Sequence, residues 1–283
     1  MADWQIRRHG VRQEVARGFT LLESVVVIVV MGIIGGLLAV FFQRPVEAYF
    51  DSVRRAQLSD TADLSLRRIA RDIQTALPNS LRVDASGYFL EMIPVRSGGR
   101  YSASPDAGNA LDVADPADND FAVLGSGVTI AAGDRIVIYN TGQEGANAYK
   151  AQSSRAFSGT AGASVSLVQF AGGQFPRHSD SFRFQVVSQA VTYACDVATS
   201  TLWRYAYPIQ QVQQTTITGG LLSGSVAGAA LATNVVCPPG ASDIGTGFEV
   251  RSADGLALLR IQLRDSSGES LSLWREVHVD NTP

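Results

Sequence analysis

Residues that build catalytic and metal sites are few in this chain. It has two cysteines and three histidines among 283 residues. The cysteines, Cys195 and Cys237, form neither a CxxC pair nor another zinc-ligand spacing. Nucleophile-elbow, phosphate-loop, HExxH and dinucleotide-binding glycine motifs are also missing. The sequence therefore predicts no catalytic residue, no metal site and no cofactor.

Charge is sparse as well. Charged residues make up 17% of the chain and the formal net charge is -3, so no long-range field would collect a polyanion. No basic stripe interleaved with aromatic residues appears, and nucleic acid is not an expected partner. Hydrophobic residues make up 46%, which is enough to build a buried core and too many for a disordered chain.

An apolar run near the start of the chain is the strongest feature present. Residues 25–42, VVVIVVMGIIGGLLAVFF, contain no ionisable side chain. With residues 19–24 the run is long enough to cross a bilayer as a helix of about 20 or more residues. The preceding residues 1–18 are net positive and should stay cytoplasmic.

Two general targeting interpretations compete here. A secretory signal peptide would be cut after Val46-Glu47-Ala48, although its apolar segment should span only ~7–15 residues. A plain signal anchor would keep the leader and leave Glu23 at the membrane interface. A charge at the bilayer centre costs about 2.5–3.5 kcal/mol on insertion scales, so Glu23 needs a cationic partner.

The residues at the start of the run form a specific motif, ARGFTLLES, at positions 16–24. It resembles the processing site of type IV prepilins. The resemblance implies cleavage between Gly18 and Phe19 by a prepilin peptidase, with N-methylation of Phe19 by the same enzyme. It also implies that Glu23 pairs with the amino terminus of a neighbouring subunit during assembly. Gly18 suits a tight protease cleft because it has no Cβ.

The residues after the run continue as an amphipathic helix. Apolar side chains recur at spacings of three, four and seven up to Leu77. Pro78 cannot donate a backbone N–H and restricts the residue before it, so we expect the helix to end there. Residues 19–77 are thus predicted to form one helix, broken or kinked at Pro45.

The remainder of the chain has the short alternating runs of β-strands. The predicted strands are residues 88–95, 135–139, 165–170, 182–195, 202–207, 248–251, 256–264 and 271–279. Glycine-rich and serine-rich residues 97–109 and 158–164 are predicted to be loops. We expect an α+β fold with an antiparallel sheet packed on the second half of the helix.

Two further patterns leave alternatives open. Asp112, Asp115, Asp118 and Asp120 lie in one loop and could bind calcium, but the loop lacks the EF-hand spacing and fits a solvated turn as well. Trp203, Tyr205 and Tyr207 alternate along a predicted strand. They would form either a binding platform or part of the core.

Both ends of the chain, roughly residues 16–83 and 182–279, resemble the O-type minor pilins of mannose-sensitive haemagglutinin (MSHA) pili. The J-type minor pseudopilins of type II secretion share the same plan. The resemblance implies a type IV pilin-like fold with four segments. They are a leader (1–18), a transmembrane and filament-core helix (19–42), an amphipathic helix (43–77) and a β-rich periplasmic head (78–283).

The function implied is structural: a single-pass inner-membrane subunit that is assembled into a pilus filament or initiates it. Its partners would be prepilin peptidase, major and other minor pilins, the inner-membrane assembly platform and membrane lipid. A type II secretion pseudopilin is the alternative, and a membrane-anchored periplasmic binding module or hydrolase is the rival from another class. Because the periplasm is oxidising, we expect Cys195 and Cys237 to form a disulfide.

Overall fold

The structure is a computed structural model that describes residues 18–104, 109–223, 228–237, 245–251 and 255–279. The predicted leader lies outside the described residues except for Gly18. The chain divides into two units, Met1–Val53 and Arg54–Pro283.

The described elements are one long helix followed by sixteen strands, so the predicted α+β class is confirmed at this level. They are α1 (Leu21–Gln74), β1 (Arg82–Val83), β2 (Phe89–Met92), β3 (Val95–Tyr101), β4 (Asp120–Leu124), β5 (Val128–Ile130), β6 (Arg135–Val137), β7 (Ser154–Phe157), β8 (Gly162–Val165), β9 (Leu167–Ala171), β10 (Arg183–Val187), β11 (Ala190–Asp196), β12 (Thr201–Tyr207), β13 (Ala229–Thr233), β14 (Gly247–Arg251), β15 (Leu256–Arg264) and β16 (Ser270–His278).

Helix α1 contains Pro45 and ends at Gln74, earlier than the predicted Leu77. The reason is that the next residues pair with another part of the chain. The Leu77 N–H donates to the Ile93 carbonyl (2.7 Å), and the Val95 N–H donates to the Thr75 carbonyl (2.9 Å). These tertiary hydrogen bonds replace the last helical turn before Pro78 is reached.

The part of α1 in the second unit packs against two antiparallel sheets. One has the strand order β1-β2-β11-β12-β13 and the other β14-β15-β16. The helix contributes Leu66, Ile69 and Ile73 to a buried cluster that also contains Tyr193 from the first sheet and Ile261 from the second. We call residues 54–92 and the described residues from 190 onward the scaffold.

The two scaffold sheets are connected by the segment that follows β13. The Val236 N–H donates to the Gln262 carbonyl (2.8 Å), which adds this segment to the side of β15. One residue later, Cys237 forms a disulfide with Cys195 of β11. The predicted disulfide is therefore present, and it joins the strand neighbouring β2 to a segment paired with the second sheet.

Strands β10-β3-β4-β9-β7-β6 form a closed barrel that sequence reasoning did not predict. Two of the predicted loops are in part strands: residues 97–101 belong to β3, and residues 162–164 belong to β8. A Cβ at Gly98 would lie 2.8 Å from the Phe184 carbonyl oxygen, so this glycine permits a close approach of β3 to β10. Gly98 therefore serves strand packing and not the turn that the sequence predicts.

The predicted strand 182–195 is also wrong as a single element. Arg183–Val187 is the last strand of the barrel, and Ala190–Asp196 lies in the five-stranded scaffold sheet. The alternating pattern continues across both strands, and the two residues between them give no turn signal in the sequence.

The buried stripe of α1 predicts that two leucines only two residues apart contribute very differently to the free energy of unfolding. Leu66 is 2% exposed and Leu64 is 67% exposed. We expect Leu66→Ala to lower the free energy of unfolding of the head by about 2–5 kcal/mol and Leu64→Ala to change it by less than about 0.5 kcal/mol. Urea unfolding of the detergent-solubilised chain measures both, and equal effects would contradict the packing described above.

Candidate processing and assembly site

The residues of the predicted processing site lie just before α1 and outside it. Gly18, Phe19 and Thr20 have no regular secondary structure and are exposed. Within the described part of the chain no atom lies within 4 Å of a Cβ built on Gly18, and the Phe19 side chain is 78% exposed. A peptidase that binds its substrate as an extended chain would find the Gly18–Phe19 bond accessible.

Thr20 determines where the helix begins. Its hydroxyl accepts a hydrogen bond from the Glu23 N–H (3.3 Å), and its carbonyl accepts one from the Ser24 N–H (3.1 Å). Thr20 is therefore the N-cap, and the sequence Thr-Leu-Leu-Glu has the spacing of a capping box. Sequence reasoning missed the role of Thr20, although the T-x-x-E pattern before an apolar run is its signal.

Glu23 occupies the first turn of α1. Free N–H groups at a helix start carry a partial positive charge, which stabilises a carboxylate there by about 0.3–1 kcal/mol. Among the described residues no cation lies within ion-pair distance of Glu23. The carboxylate is thus placed at the edge of the apolar segment.

The apolar side chains after Glu23 are exposed around the whole helix. Val26, Ile28, Val30, Ile34 and Leu38 have exposed fractions of 46% or more. The helix is long and apolar enough to cross a membrane by length and composition, a test that some signal sequences also pass. A helix that is apolar on all sides is typical of an environment of lipid or other apolar helices.

The carboxylates of the acidic loop accept hydrogen bonds from the backbone of the same loop. Asp112, Asp115 and Asp118 each accept a hydrogen bond from a loop N–H, at 2.8, 2.9 and 2.6 Å. Gln174 Nε2 lies within 3.1 Å or less of the carbonyl oxygens of the same three residues. The described residues contain no group of three or more His, Cys, Asp or Glu side chains arranged to hold a metal ion.

Two of the three aromatic residues in the row on β12 are in the core, and the third, Trp203, is half-buried against it. Tyr205 and Tyr207 are 5% and 2% exposed, and they belong to a buried cluster with Phe89 and Leu222. The Tyr207 hydroxyl is 2.5 Å from the Thr192 hydroxyl. Of the two alternatives for this row, the structure supports core packing.

Glu91 in the head pairs with Arg82, and the sequence pattern did not predict this pair. Glu91 is fully buried, and its carboxylate accepts a hydrogen bond from Arg82 at 2.8 Å. Arg82 also donates to the backbone carbonyls of Gln210 and Gln211 and lies 3.6 Å from the centre of the Tyr149 ring. The sequence signal for a buried carboxylate was the glutamate within the otherwise apolar strand FLEM.

Burial raises the pKa of Glu91, with the bond to Arg82 acting in the opposite direction. Burial also raises the pKa of the Tyr149 hydroxyl well above its ordinary value, and the charge of Glu91 adds to that effect.

A cavity of about 670 Å³ lies elsewhere in the head, between the β1–β2 turn and the β14-β15-β16 sheet. Arg82, Glu91 and Tyr149 do not line it. The position of the pair away from this cavity favours a structural role.

Comparison of the chain with protein-family models, with curated proteins and with solved structures finds no match.

The raised pKa of Glu91 predicts that the free energy of unfolding falls as the pH rises. As the pH rises above 4.5, the ordinary value, the carboxyl group ionises in the unfolded chain before it ionises in the folded one. The folded state then binds more protons, so its stability falls with rising pH in that window. We expect wild type to lose free energy of unfolding relative to Glu91→Gln over this range, measured by urea unfolding at stepped pH. Parallel curves for the two proteins would contradict the prediction.

Proposed function

We propose that this chain is a minor pilin subunit of an MSHA-type type IV pilus. The observation that carries the proposal is the order of three features at one helix start. An exposed Gly18–Phe19 bond lies immediately before the Thr20 cap. A single carboxylate, Glu23, lies in the first turn, and an apolar segment long enough to span a membrane follows.

Each feature fits one step of processing and assembly. Cleavage after Gly18 by prepilin peptidase would remove the positive leader and leave the apolar helix attached to the head. The new amine of Phe19, which the same enzyme would methylate, supplies a cation near the start of a neighbouring helix. Glu23 of an incoming subunit would pair with that amine and lose the cost of an unpaired charge in lipid. The role is structural rather than enzymatic.

The proposed setting is the inner membrane, with the head in the periplasm until the subunit enters the filament. The disulfide between Cys195 and Cys237 supports an oxidising compartment. Partners would be prepilin peptidase, major and other minor pilins, the assembly platform and membrane lipid. A type II secretion pseudopilin would use the same helix start and is the second candidate. A membrane-anchored periplasmic binding module would not need the Gly18–Phe19 bond cut.

The mature amino terminus tests the processing step. Mass spectrometry of protein expressed with a prepilin peptidase should find N-methylated Phe19, whereas Met1 or Tyr49 at the terminus would overturn the proposal. Gly18→Glu should abolish cleavage because a charged side chain replaces the residue without a Cβ. The control is Gly18→Ala, which adds only one carbon and should be cut more completely than Gly18→Glu.

Glu23 variants separate assembly from processing. Glu23→Val and Glu23→Gln both remove the charge, and they should still insert into the membrane and be cut after Gly18. Both should be strongly depleted from sheared filaments. The control Glu23→Asp keeps a carboxylate and should enter filaments better than either. Neutral variants present in filaments at the wild-type level would show that Glu23 is only an interfacial residue.

A further inference from the structure

The barrel is inserted between two strands that are neighbours in the scaffold. β2 and β11 pair antiparallel, with Met92 opposite Val191, although the whole barrel lies between them in sequence. The first and last barrel strands also pair with each other, from Val95 opposite Val187 to Arg100 opposite Arg183. The chain therefore enters and leaves the barrel at one place, and the scaffold sheet is complete without it.

The barrel and the scaffold also have separate cores. The buried cluster of the barrel is drawn only from residues between Tyr101 and Val186. None of the described residues between Ile93 and Ala190 belongs to the main scaffold cluster. Two smaller clusters join the two. One is formed by Leu77, Ile93, Val137, Ala148 and Val187, and in the other Tyr149 packs against a scaffold cluster that contains Phe89 and Tyr207. A segment with its own core and adjacent ends has the properties of an independent domain.

Polar contacts at the junction fix the barrel to the end of α1. Asn140 Nδ2 donates to the Pro78 carbonyl (2.6 Å), and Asn79 Nδ2 donates to the Asn140 carbonyl (3.0 Å). The Tyr149 hydroxyl donates to the Ser80 carbonyl (2.9 Å). These contacts position the barrel but place none of its side chains in the main scaffold core.

From this arrangement we infer that residues 94–189 are an inserted module and that the rest of the chain is sufficient for folding, processing and assembly. The folding part stands on the structure alone, while processing and assembly rest on the proposed function. The role of the barrel then lies outside subunit assembly.

The test replaces Pro94–Gln189 with Asn-Gly in the otherwise full-length chain. Continuing the register of β2 and β11 places Ile93 opposite Ala190, and Asn-Gly is the favoured two-residue turn between such strands. The variant should form the Cys195–Cys237 disulfide, unfold cooperatively, be cut after Gly18 and enter sheared filaments as wild type does. A folded variant that is excluded from filaments containing wild type would overturn the assembly part of the inference. If wild type is also absent from filaments, the proposed function fails. Disulfide formation and cooperative unfolding of the deletion variant then still decide whether residues 94–189 are an inserted module.

A second pair of variants tests the inference without deleting the barrel. They are needed because the deletion exposes Leu77 and Ile93, which could by itself cause misfolding. In the intact chain, Phe121→Ala removes a buried ring from the barrel core, and Leu259→Ala removes a buried side chain from the scaffold core. Phe121→Ala should accelerate hydrogen exchange in β3, β4 and β10 on the order of a hundredfold or more while leaving β11 and β15 unchanged. Leu259→Ala should leave the barrel strands unchanged. Equal acceleration of both regions by Phe121→Ala would show one cooperative unit and overturn the inference.

Discussion

The burial of one stripe of α1 is the interaction on which the head depends. Leu66, Ile69 and Ile73 fill the space between a five-stranded and a three-stranded sheet, and residues from both sheets contact the same cluster. Without the helix, each sheet would have an uncovered apolar face. The same helix has exposed apolar side chains on every side before Tyr49, so its two parts require different environments.

Other interactions around this core are smaller and secondary. Arg54 pairs with Asp265 at 3.5 Å, and Arg55, whose side chain is 67% exposed, pairs with Glu269. An exposed pair such as Arg55–Glu269 contributes about 0–1 kcal/mol. The Cys195–Cys237 disulfide closes a loop with a sequence separation of 42, worth roughly 4 kcal/mol in the chain-entropy model. A single buried leucine contributes about as much. The disulfide therefore holds the β13–β15 connection in place, while the helix stripe holds the sheets.

Local pattern was sufficient for most of the helix and for β2, β12, β14, β15 and β16, whereas β1 and β13 were not predicted. The spacing of Leu66, Ile69 and Ile73 predicted the buried face, and strict alternation predicted β15. The barrel could not be predicted because its closure depends on contacts distant in sequence. The composition of Ser97–Tyr101 predicts a turn, and only the close approach of Gly98 to the Phe184 carbonyl explains why it is a strand. At the candidate site, the motif located Gly18, Phe19 and Glu23, whereas the function of Thr20 required the hydrogen bond to the Glu23 N–H.

The junction between barrel and scaffold differs in kind from either core. Arg82 and Glu91 both belong to scaffold strands, but the ring that covers Arg82 is Tyr149, which belongs to the inserted segment. A buried ion pair gives little net stability because desolvation offsets the attraction, while losing one partner is costly. The Arg82 side chain is already 23% exposed, so loss of the barrel would expose more of it to water with both partners still present. The pair would then become more solvated instead of unpaired. The junction can therefore be rigid in the intact head and still be lost without leaving an uncompensated charge in the scaffold.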